Sequence, residues 1–332
     1  MTTIKTIVDQ ALAGRQLEVA EIRALFAVPL FTEESSQIQL AARKMSEESS
    51  NGQAEVHGQV GVNSGPCPCD CGFCSFAASN RIFKKHRVEP LEDIIRKCLE
   101  LQKAGANAIY LMATANFRLD QFLRIGKVVR QELKKEIPLI ANIGDFGDQE
   151  AMALKETGFT GVYHAVRLGE GQVTRIEIQK RLNSFQAAAK AGLQLGTCVE
   201  PVGPEHSLDE LVEKTIITRK ARPVFSGAAR RIGIPGTSLS TQGMVSEARM
   251  AHILAVVRLA MGLAIPGNCT HEPNVLGAIA GANLLWAEAG SNPRDTVNNT
   301  EHSRGYDVNR CQSIFSEAEW KVLEGPSRFF KL

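Results

Sequence analysis

The 332-residue chain lacks several features that mark common classes of protein. It has no basic run, and 38 lysines and arginines against 36 acidic residues leave a formal charge of only +2. This balance argues against a nucleic-acid-binding surface and gives little reason to expect a membrane surface. The chain also has no signal-peptide layout at its start and no apolar run long enough to span a membrane. We therefore expect a cytoplasmic protein with reduced cysteines.

Cysteine is concentrated at one place in the chain. Half of the eight cysteines lie in residues 67–74, which read CPCDCGFC. Thiolates suit iron–sulfur clusters, zinc and copper(I), so this stretch predicts a metal site. Cys67, Cys71 and Cys74 have the spacing C-x3-C-x2-C, and three ligands on a four-iron cluster would leave one iron open to a small molecule. We expect these three cysteines to be metal ligands and Cys69 to be a non-ligand. The alternative is that Cys69 serves as an alternative ligand or as a persulfide carrier.

Zinc is the main alternative for the same stretch. Four thiolates form a good tetrahedral site, but structural zinc ligands usually come as two pairs on separate loops. The chain has no second C-x2-C pair, and disulfides are less favoured because no secretory segment is visible. An iron–sulfur cluster is therefore the favoured reading, and its sensitivity to oxygen suggests an anaerobic host.

The order of predicted strands and helices indicates a barrel. Residues 1–54 are predicted to form an N-terminal helical extension, residues 55–290 the barrel, and residues 291–332 a tail with a short helix near residues 316–323. Eight βα units predict an α/β fold of the TIM-type (β/α)8 class, with an open doubly wound sheet as runner-up that lacks its G-x-G-x-x-G motif. The predicted strands cover residues 59–62, 108–113, 139–143, 161–166, 194–199, 223–226, 263–266 and 283–286. The predicted helices between them cover residues 91–104, 119–134, 149–157, 175–191, 208–220 and 245–261.

A barrel of this kind carries its chemistry on the loops that follow the strands. Charged residues after the strands are therefore candidates for contacts with substrate. Arg230 and Arg231 could grip a carboxylate or phosphate, and Glu200 could bind an amine or a ribose hydroxyl. Asp145 is a weaker candidate, and His164 is as well explained as a barrel histidine. Together they suggest a substrate with both acidic and basic groups.

The four cysteines outside residues 67–74 divide into two kinds. Cys198 and Cys269 follow two different strands and are either ligands, substrate contacts or buried core residues. They could pair across the barrel mouth, and a metal there would need help from His271 because two thiolates are too few. Cys98 and Cys311 are expected to be structural.

With the barrel and the cysteine triplet in place, the chain resembles the biotin-synthase-like branch of radical S-adenosylmethionine (radical-SAM) enzymes. The resemblance implies a [4Fe–4S] cluster on Cys67, Cys71 and Cys74 that reductively cleaves S-adenosylmethionine to methionine and a 5′-deoxyadenosyl radical. It also implies a small-molecule substrate and a flavodoxin or ferredoxin as electron donor.

The resemblance assigns further positions to S-adenosylmethionine. Ala113, Thr114 and Asn116 occupy the position of the methionine-binding loop, without the commoner Gly-Gly-Glu. Such a loop would make cofactor contacts after the second strand.

On the fourth and fifth strands the resemblance implies another set of contacts. Arg167 falls where relatives place a polar contact to S-adenosylmethionine, and Glu170 would be its acidic neighbour at a spacing one residue longer than in one relative. Val202 and Gly203 match a Val-Gly pair near the adenosine. We take Arg167 and Glu200 as the candidate catalytic residues.

The implied reaction is hydrogen abstraction followed by rearrangement, cleavage or insertion on a small polar molecule, in the biosynthesis of a cofactor or an amino-acid derivative. Biotin synthase holds a second cluster with cysteines on three strands and an arginine. This chain keeps Cys198 but has Leu111 and Ile140 at the other two strands. Sulfur insertion with an auxiliary cluster is therefore an alternative, as is a non-enzymatic metal-binding or scaffold protein.

Overall fold

Eight parallel strands close into a barrel in the computed structural model, which describes residues 3–331. Each strand pairs with the next in chain order, and β8 returns to pair with β1 in the register His57↔Trp286. The predicted TIM-type (β/α)8 fold is confirmed. The strands are β1 Gln53–Gly61, β2 Ala108–Met112, β3 Leu139–Asn142, β4 Gly161–Tyr163, β5 Gln194–Gly196, β6 Phe225–Arg230, β7 Gly267–Cys269 and β8 Leu284–Gly290.

Helices after the strands form the outer layer of the barrel. The segment 208–220 was predicted with its observed bounds because its first turn has clear signals: Ser207 caps the helix and Glu210 completes a capping box. The five-residue α10 was not predicted, since one turn is too short to show a helical period. The helices are α4 Leu91–Lys103, α5 Leu119–Glu132, α6 Asp148–Thr157, α7 Ile178–Lys190, α8 Leu208–Lys220, α9 Glu247–Met261, α10 Val275–Ile279 and α11 Val308–Glu317.

Three helices precede the barrel, namely α1 Ile4–Leu12, α2 Val19–Phe26 and α3 Glu33–Ser49. They pack against α8 and α9 and share one apolar cluster with them. Every residue from Met250 to Met261 of α9 is consequently buried, which explains why this helix is apolar on all sides. The predicted domain boundaries stay a prediction.

The seventh strand was predicted wrongly at residues 263–266, because it lies at Gly267–Cys269. Residues 263–266 look like a strand from their apolar side chains alone. In the structure Ile265 packs into the cluster of the N-terminal helices, and its carbonyl accepts a 2.5 Å hydrogen bond from buried Arg258. The true strand, Gly-Asn-Cys, has almost no β-type signal.

The predicted tail helix near residues 316–323 was also placed wrongly. The observed α11 begins after Asp307, whose side chain accepts from the Arg310 N–H, and ends at Glu317. Lys321–Val322 instead forms a short strand beside the start of β1. Two further short strands, Asn63–Ser64 and Arg87–Val88, pair with each other, and Val199–Val202 pairs in parallel with β6.

The amino-terminal half of the barrel interior is filled. Tyr110 and Trp286 pack inside it with ring centroids 4.5 Å apart, and Phe329 and Phe330 of the tail join the same cluster. A cavity lined by the cysteines of residues 67–74 lies beyond this packing, toward the carboxyl ends of the strands. Among the described residues, no helix combines the length and apolar character needed to cross a membrane.

Candidate active site

A cavity of about 190 Å³ lies at the carboxyl ends of the strands. All four cysteines of residues 67–74 line it, together with residues from the loops after β2, β3, β4, β5 and β6 and from the tail. The tail therefore does lie over the barrel mouth, through Asn292, Pro293 and Arg294. This is the location that the barrel predicts for a functional site.

The cysteine loop, residues 67–74, is shaped by its own backbone contacts. The Cys67 N–H donates to the Phe76 carbonyl at 2.7 Å, and the Asn80 amide donates to the Cys74 carbonyl at 2.8 Å. The Asp70 carboxylate accepts from the Ser79 N–H at 2.9 Å. These bonds close the loop so that its thiols turn toward one cavity.

The spacing of the loop thiols indicates which metal group fits. Among residues 3–331, three or more ligand atoms lie within 4.8 Å of one another at only one place, which does not include the cysteine loop. Sulfurs that share one zinc ion lie ~3.8 Å apart, from a Zn–S bond of about 2.3 Å and tetrahedral angles. At least one pair of the Cys67, Cys71 and Cys74 sulfurs thus lies more than 4.8 Å apart, which is wider than one zinc ion needs and is expected for ligands to different irons of a cluster.

Arg167 and Glu200 lie next to each other at the cavity wall. The Nε atom of Arg167 lies 3.7 Å from a carboxylate oxygen of Glu200, and both side chains are mostly buried. Burial lowers the pKa of Arg167, but the Glu200 and Glu170 carboxylates outweigh it and raise that pKa above its ordinary value. Arg167 is therefore a fixed positive charge at the cavity wall, beside an acidic partner.

Arg230 and Arg231 also line the cavity, but both are already paired. Arg230 contacts Glu272 and lies 3.2 Å from Glu247, while Arg231 contacts Glu205 and donates to the Gly243 carbonyl at 3.0 Å. Glu205, in the loop before α8, thus pairs with Arg231. Arg230 or Arg231 must break one of these contacts before it can form two parallel hydrogen bonds with a substrate anion.

Asp145, His164 and Glu170 lie behind the cavity wall, around Arg181. Arg181 donates to Asp145 and to Glu170 at 3.1 Å each, and His164 Nε2 lies 2.9 Å from Asp145. Burial lowers the pKa of His164 to about 4, against the opposing effect of Asp145. Of this group only Arg181, which the sequence reasoning missed, reaches the cavity.

The loop after β2 is placed as expected in part. Ala113 and Thr114 line the cavity, and Thr114 makes two hydrogen bonds of 2.8 and 2.9 Å with Asn63, in the short strand that follows β1. Asn116 instead donates to the Pro66 carbonyl at 3.2 Å, outside the cavity. Val202 and Gly203 lie outside it as well, where Gly203 contacts His206.

Several polar residues of the cavity were not found from the sequence. Glu288 lies on β8, whose predicted end at residue 286 falls four residues before the observed end, and its side chain pairs with Arg294 at 2.5 Å. A longer predicted β8 would have revealed Glu288, because residues two apart on a strand point to the same side and Trp286 faces the barrel interior. Gln59 and Asn142 face each other at 3.0 Å, and Tyr163 ends β4.

Cys198, Cys269 and His271 come together beside the cavity, as the sequence suggested. The two sulfurs lie 2.7 Å apart and are fully buried, and His271 Nε2 lies 3.0 Å from the Tyr163 hydroxyl. This approach requires Gly227, with φ +144°, because a Cβ atom there would lie 2.0 Å from the Cys269 carbonyl.

The two positions expected at the other cluster ligands of biotin synthase are filled differently. Ile140 does face the barrel interior, but Leu111 points outward into the layer between strands and helices. The inward side chains of β2 are Tyr110 and Met112. No cysteine is therefore available there.

Comparison with known proteins gives consistent relatives, although no protein-family model matches the chain. Biotin synthase of Carboxydothermus hydrogenoformans is 25% identical over 264 residues, which are 75% of this chain and 80% of the relative. Biotin synthase of Thermus thermophilus is 28% identical over 236 residues, or 69% and 70% of the two chains.

Solved structures show the same fold. Methylornithine synthase superposes with a TM-score of 0.77 at 18% identity, covering 97% of this chain and 98% of that one. An FeFe-hydrogenase maturase of Carboxydothermus hydrogenoformans superposes with a TM-score of 0.81 at 18% identity, covering 99% and 81%.

Proposed function

Since the chain belongs to the biotin-synthase-like branch of the radical-SAM enzymes, we propose that Cys67, Cys71 and Cys74 hold a [4Fe–4S] cluster and that the adjoining cavity binds S-adenosylmethionine. One observation carries the proposal. The three thiols line a single cavity, yet their sulfurs do not all lie within 4.8 Å of one another, which is a wider spacing than a single zinc ion needs. This donor set fits a cluster with one iron free of protein ligands.

When bound and reduced, such a cluster supplies the electron that cleaves S-adenosylmethionine to methionine and a 5′-deoxyadenosyl radical for hydrogen abstraction. The chain's own residues bind and orient S-adenosylmethionine, and they exclude water from the cavity. Phe76, Met112 and Ile232 form apolar parts of the cavity wall, which keep water away from a reactive species.

The cavity offers separate groups for the two charged ends of S-adenosylmethionine. Ala113 and Thr114 are placed to contact its methionine part, and Arg167 and Glu200 to contact its charged or hydroxyl groups. Glu170 lies behind the wall, so we propose that it acts on the cofactor site by holding Arg181 in place.

The substrate that this cavity favours is a small polar molecule with acidic and basic groups. Glu200 and Glu288 supply negative charge, and Arg167 and Arg294 supply positive charge, within one cavity. We propose rearrangement, cleavage or insertion after hydrogen abstraction, in the biosynthesis of a cofactor or amino-acid derivative, with a flavodoxin or ferredoxin as reductant. Sulfur insertion of the biotin-synthase type is less favoured. On two strands where biotin synthase carries cysteine ligands to its second cluster, this chain has Met112 and Ile140 facing inward.

The test is to reconstitute the anaerobic protein with iron and sulfide and count both per chain. We expect about four irons and four sulfides, and loss of most of both when Cys67, Cys71 or Cys74 is changed singly to alanine. Cys69→Ala is the matched control from the same loop and should keep the cluster. Electron paramagnetic resonance of the reduced protein should change on addition of S-adenosylmethionine.

Two results would contradict this assignment. One is a protein that takes up zinc but no iron during reconstitution. The other is a cluster that needs Cys69 while Cys71 can be replaced without loss of iron. An unchanged resonance spectrum with S-adenosylmethionine would reject the cofactor site.

A further inference from the structure

A second set of ligand-type side chains lies inside the barrel, apart from the cysteine loop. Ligand atoms of Cys198, Cys269 and His271 all lie within 4.8 Å of one another, and all three residues are buried. Cys198 follows β5, Cys269 ends β7, and His271 lies two residues further. Two thiols and one imidazole form a donor set that zinc prefers.

These cysteines differ from the other buried cysteines of the chain. Cys98 lies on the buried face of α4, and Cys311 on α11 donates to the Trp286 carbonyl at 3.4 Å. Among residues 3–331, neither belongs to a group of three ligand-type side chains whose ligand atoms lie within 4.8 Å of one another. Cys198 and Cys269, in contrast, meet with their sulfurs 2.7 Å apart although they are 71 residues apart in the sequence.

The imidazole of His271 is held in a defined orientation. Its ring stacks on Trp286 with centroids 4.8 Å apart and planes 10° from parallel. Its Nε2 atom lies 3.0 Å from the Tyr163 hydroxyl and 3.6 Å from a Glu200 oxygen. Such outer contacts are typical of histidines that bind metals, because they fix the ring before the ion arrives.

We propose that Cys198, Cys269 and His271 bind one zinc ion, separate from the cysteine loop, whose fourth coordination position is reached from the cavity. Three protein ligands of the Cys2His type with one open position are a known arrangement of catalytic zinc. His271 itself lines the cavity, as does Glu200 beside it. The open position would take an oxygen, nitrogen or sulfur atom of a small-molecule substrate.

Zinc binding requires a small adjustment of the two thiols. Both sulfurs lose their protons and move from 2.7 Å apart to ~3.8 Å, the separation set by Zn–S bonds of about 2.3 Å. Cys198 lies outside the paired segments, so the shift of about 1 Å is made by its side chain, while the backbone of Cys269 stays paired with Leu284 and Gly227. The same pair could instead form a disulfide or help to hold iron and sulfide, and the experiment separates these results.

The experiment uses the anaerobic, cluster-loaded protein, so that iron occupies the cysteine loop. Zinc is titrated against a chromophoric chelator, and the zinc K-edge absorption spectrum reports its neighbours without interference from iron. We expect about one zinc per chain, with two sulfurs at about 2.3 Å and nitrogen at about 2.0–2.1 Å. Cys198→Ser and Cys269→Ser should each weaken zinc binding at least ~100-fold, since each removes one of only three protein ligands.

Cys98→Ser and Cys311→Ser are matched controls, since both remove a buried thiol and should leave zinc bound. His271→Gln provides a variant that disturbs neither sulfur, and should lower the nitrogen contribution and the affinity. Iron content and thermal melting are measured on each variant to confirm that it is folded.

Three results would overturn the proposal. The first is binding of less than a tenth of an equivalent of zinc by the wild-type protein, and the second is a zinc spectrum that shows three or more sulfurs. The third is an iron and sulfide content clearly above four per chain, with the excess lost in Cys198→Ser. A disulfide that forms under the same reducing conditions and blocks zinc would also reject it. None of these results depends on cleavage of S-adenosylmethionine, so this proposal and the proposed function fail independently.

Discussion

Removal of the Arg181 guanidinium should destabilise the whole protein. Arg181 donates to Asp145 and Glu170 at 3.1 Å each, and its side chain is only 5% exposed. The Glu170 side chain is 0% exposed and keeps two other hydrogen bonds, from the Thr174 hydroxyl at 2.8 Å and the Arg167 N–H at 3.0 Å. Arg181→Met would therefore leave a buried carboxylate without its directly paired guanidinium.

The size of the effect follows from this burial. Removal of one partner from a buried ion pair costs about 3–5 kcal/mol, because the remaining charge stays desolvated. Anaerobic urea unfolding of the metal-free protein, followed by circular dichroism, measures the free energy of unfolding. Adding Glu170→Gln to Arg181→Met should recover part of the loss, since the unpaired charge is then removed as well.

Arg124→Met is the matched control for this prediction. Arg124 pairs with Asp120 at 3.0 Å on the surface of α5, where its side chain is 68% exposed, and its loss should cost less than about 1 kcal/mol. Equal effects of Arg181→Met and Arg124→Met would refute the reasoning. So would a double variant with Glu170→Gln that is less stable than Arg181→Met alone.

Three further changes test other parts of the structure. Arg167→Gln should lower S-adenosylmethionine cleavage at least ~10-fold, and Arg167→Lys less, measured as 5′-deoxyadenosine per minute, since one is neutral and the other keeps the charge. The pKa of His164 is about 4 in the folded protein, below its ordinary 6.5, so the unfolded chain binds the proton first as pH falls. The stability that comes from neutral His164 is fully present above pH 6.5 and falls by on the order of 3 kcal/mol as pH drops to 4. Urea unfolding measures this pH dependence, and His164→Gln should reduce it. Gly227→Ala should cost about 1–3 kcal/mol or more and weaken zinc binding, because its Cβ would meet the Cys269 carbonyl.

Much of the fold could be predicted because local signals agree with it. Apolar runs alternate with helical periods along the chain, and capped helices such as α8 have clear first turns. The seventh strand was not predicted at Gly267–Cys269 because contacts with neighbouring residues define it. A Cβ atom on Gly267, for example, would lie 2.3 Å from the Phe225 side chain. Such a strand is defined by tertiary contacts and leaves little pattern in the sequence.

The site was predictable where chemistry is concentrated in neighbouring residues. The spacing of the cysteines and the rule for strand ends identified Cys67, Arg167 and Glu200 as residues of one cavity, and all three line it. The pairing of charges was not predictable, because Arg181 reaches the cavity from a helix and Arg294 from the tail. Neither has a local pattern that marks its partner.

The central claim is tested most directly by reductive cleavage of S-adenosylmethionine. The anaerobically reconstituted protein is reduced with dithionite, S-adenosylmethionine is added, and 5′-deoxyadenosine is quantified beside a variant with Cys67, Cys71 and Cys74 changed to alanine. We expect 5′-deoxyadenosine from the parent protein and none from the variant. A parent protein that carries a full cluster but forms no 5′-deoxyadenosine, or equal formation by both proteins, would contradict the account.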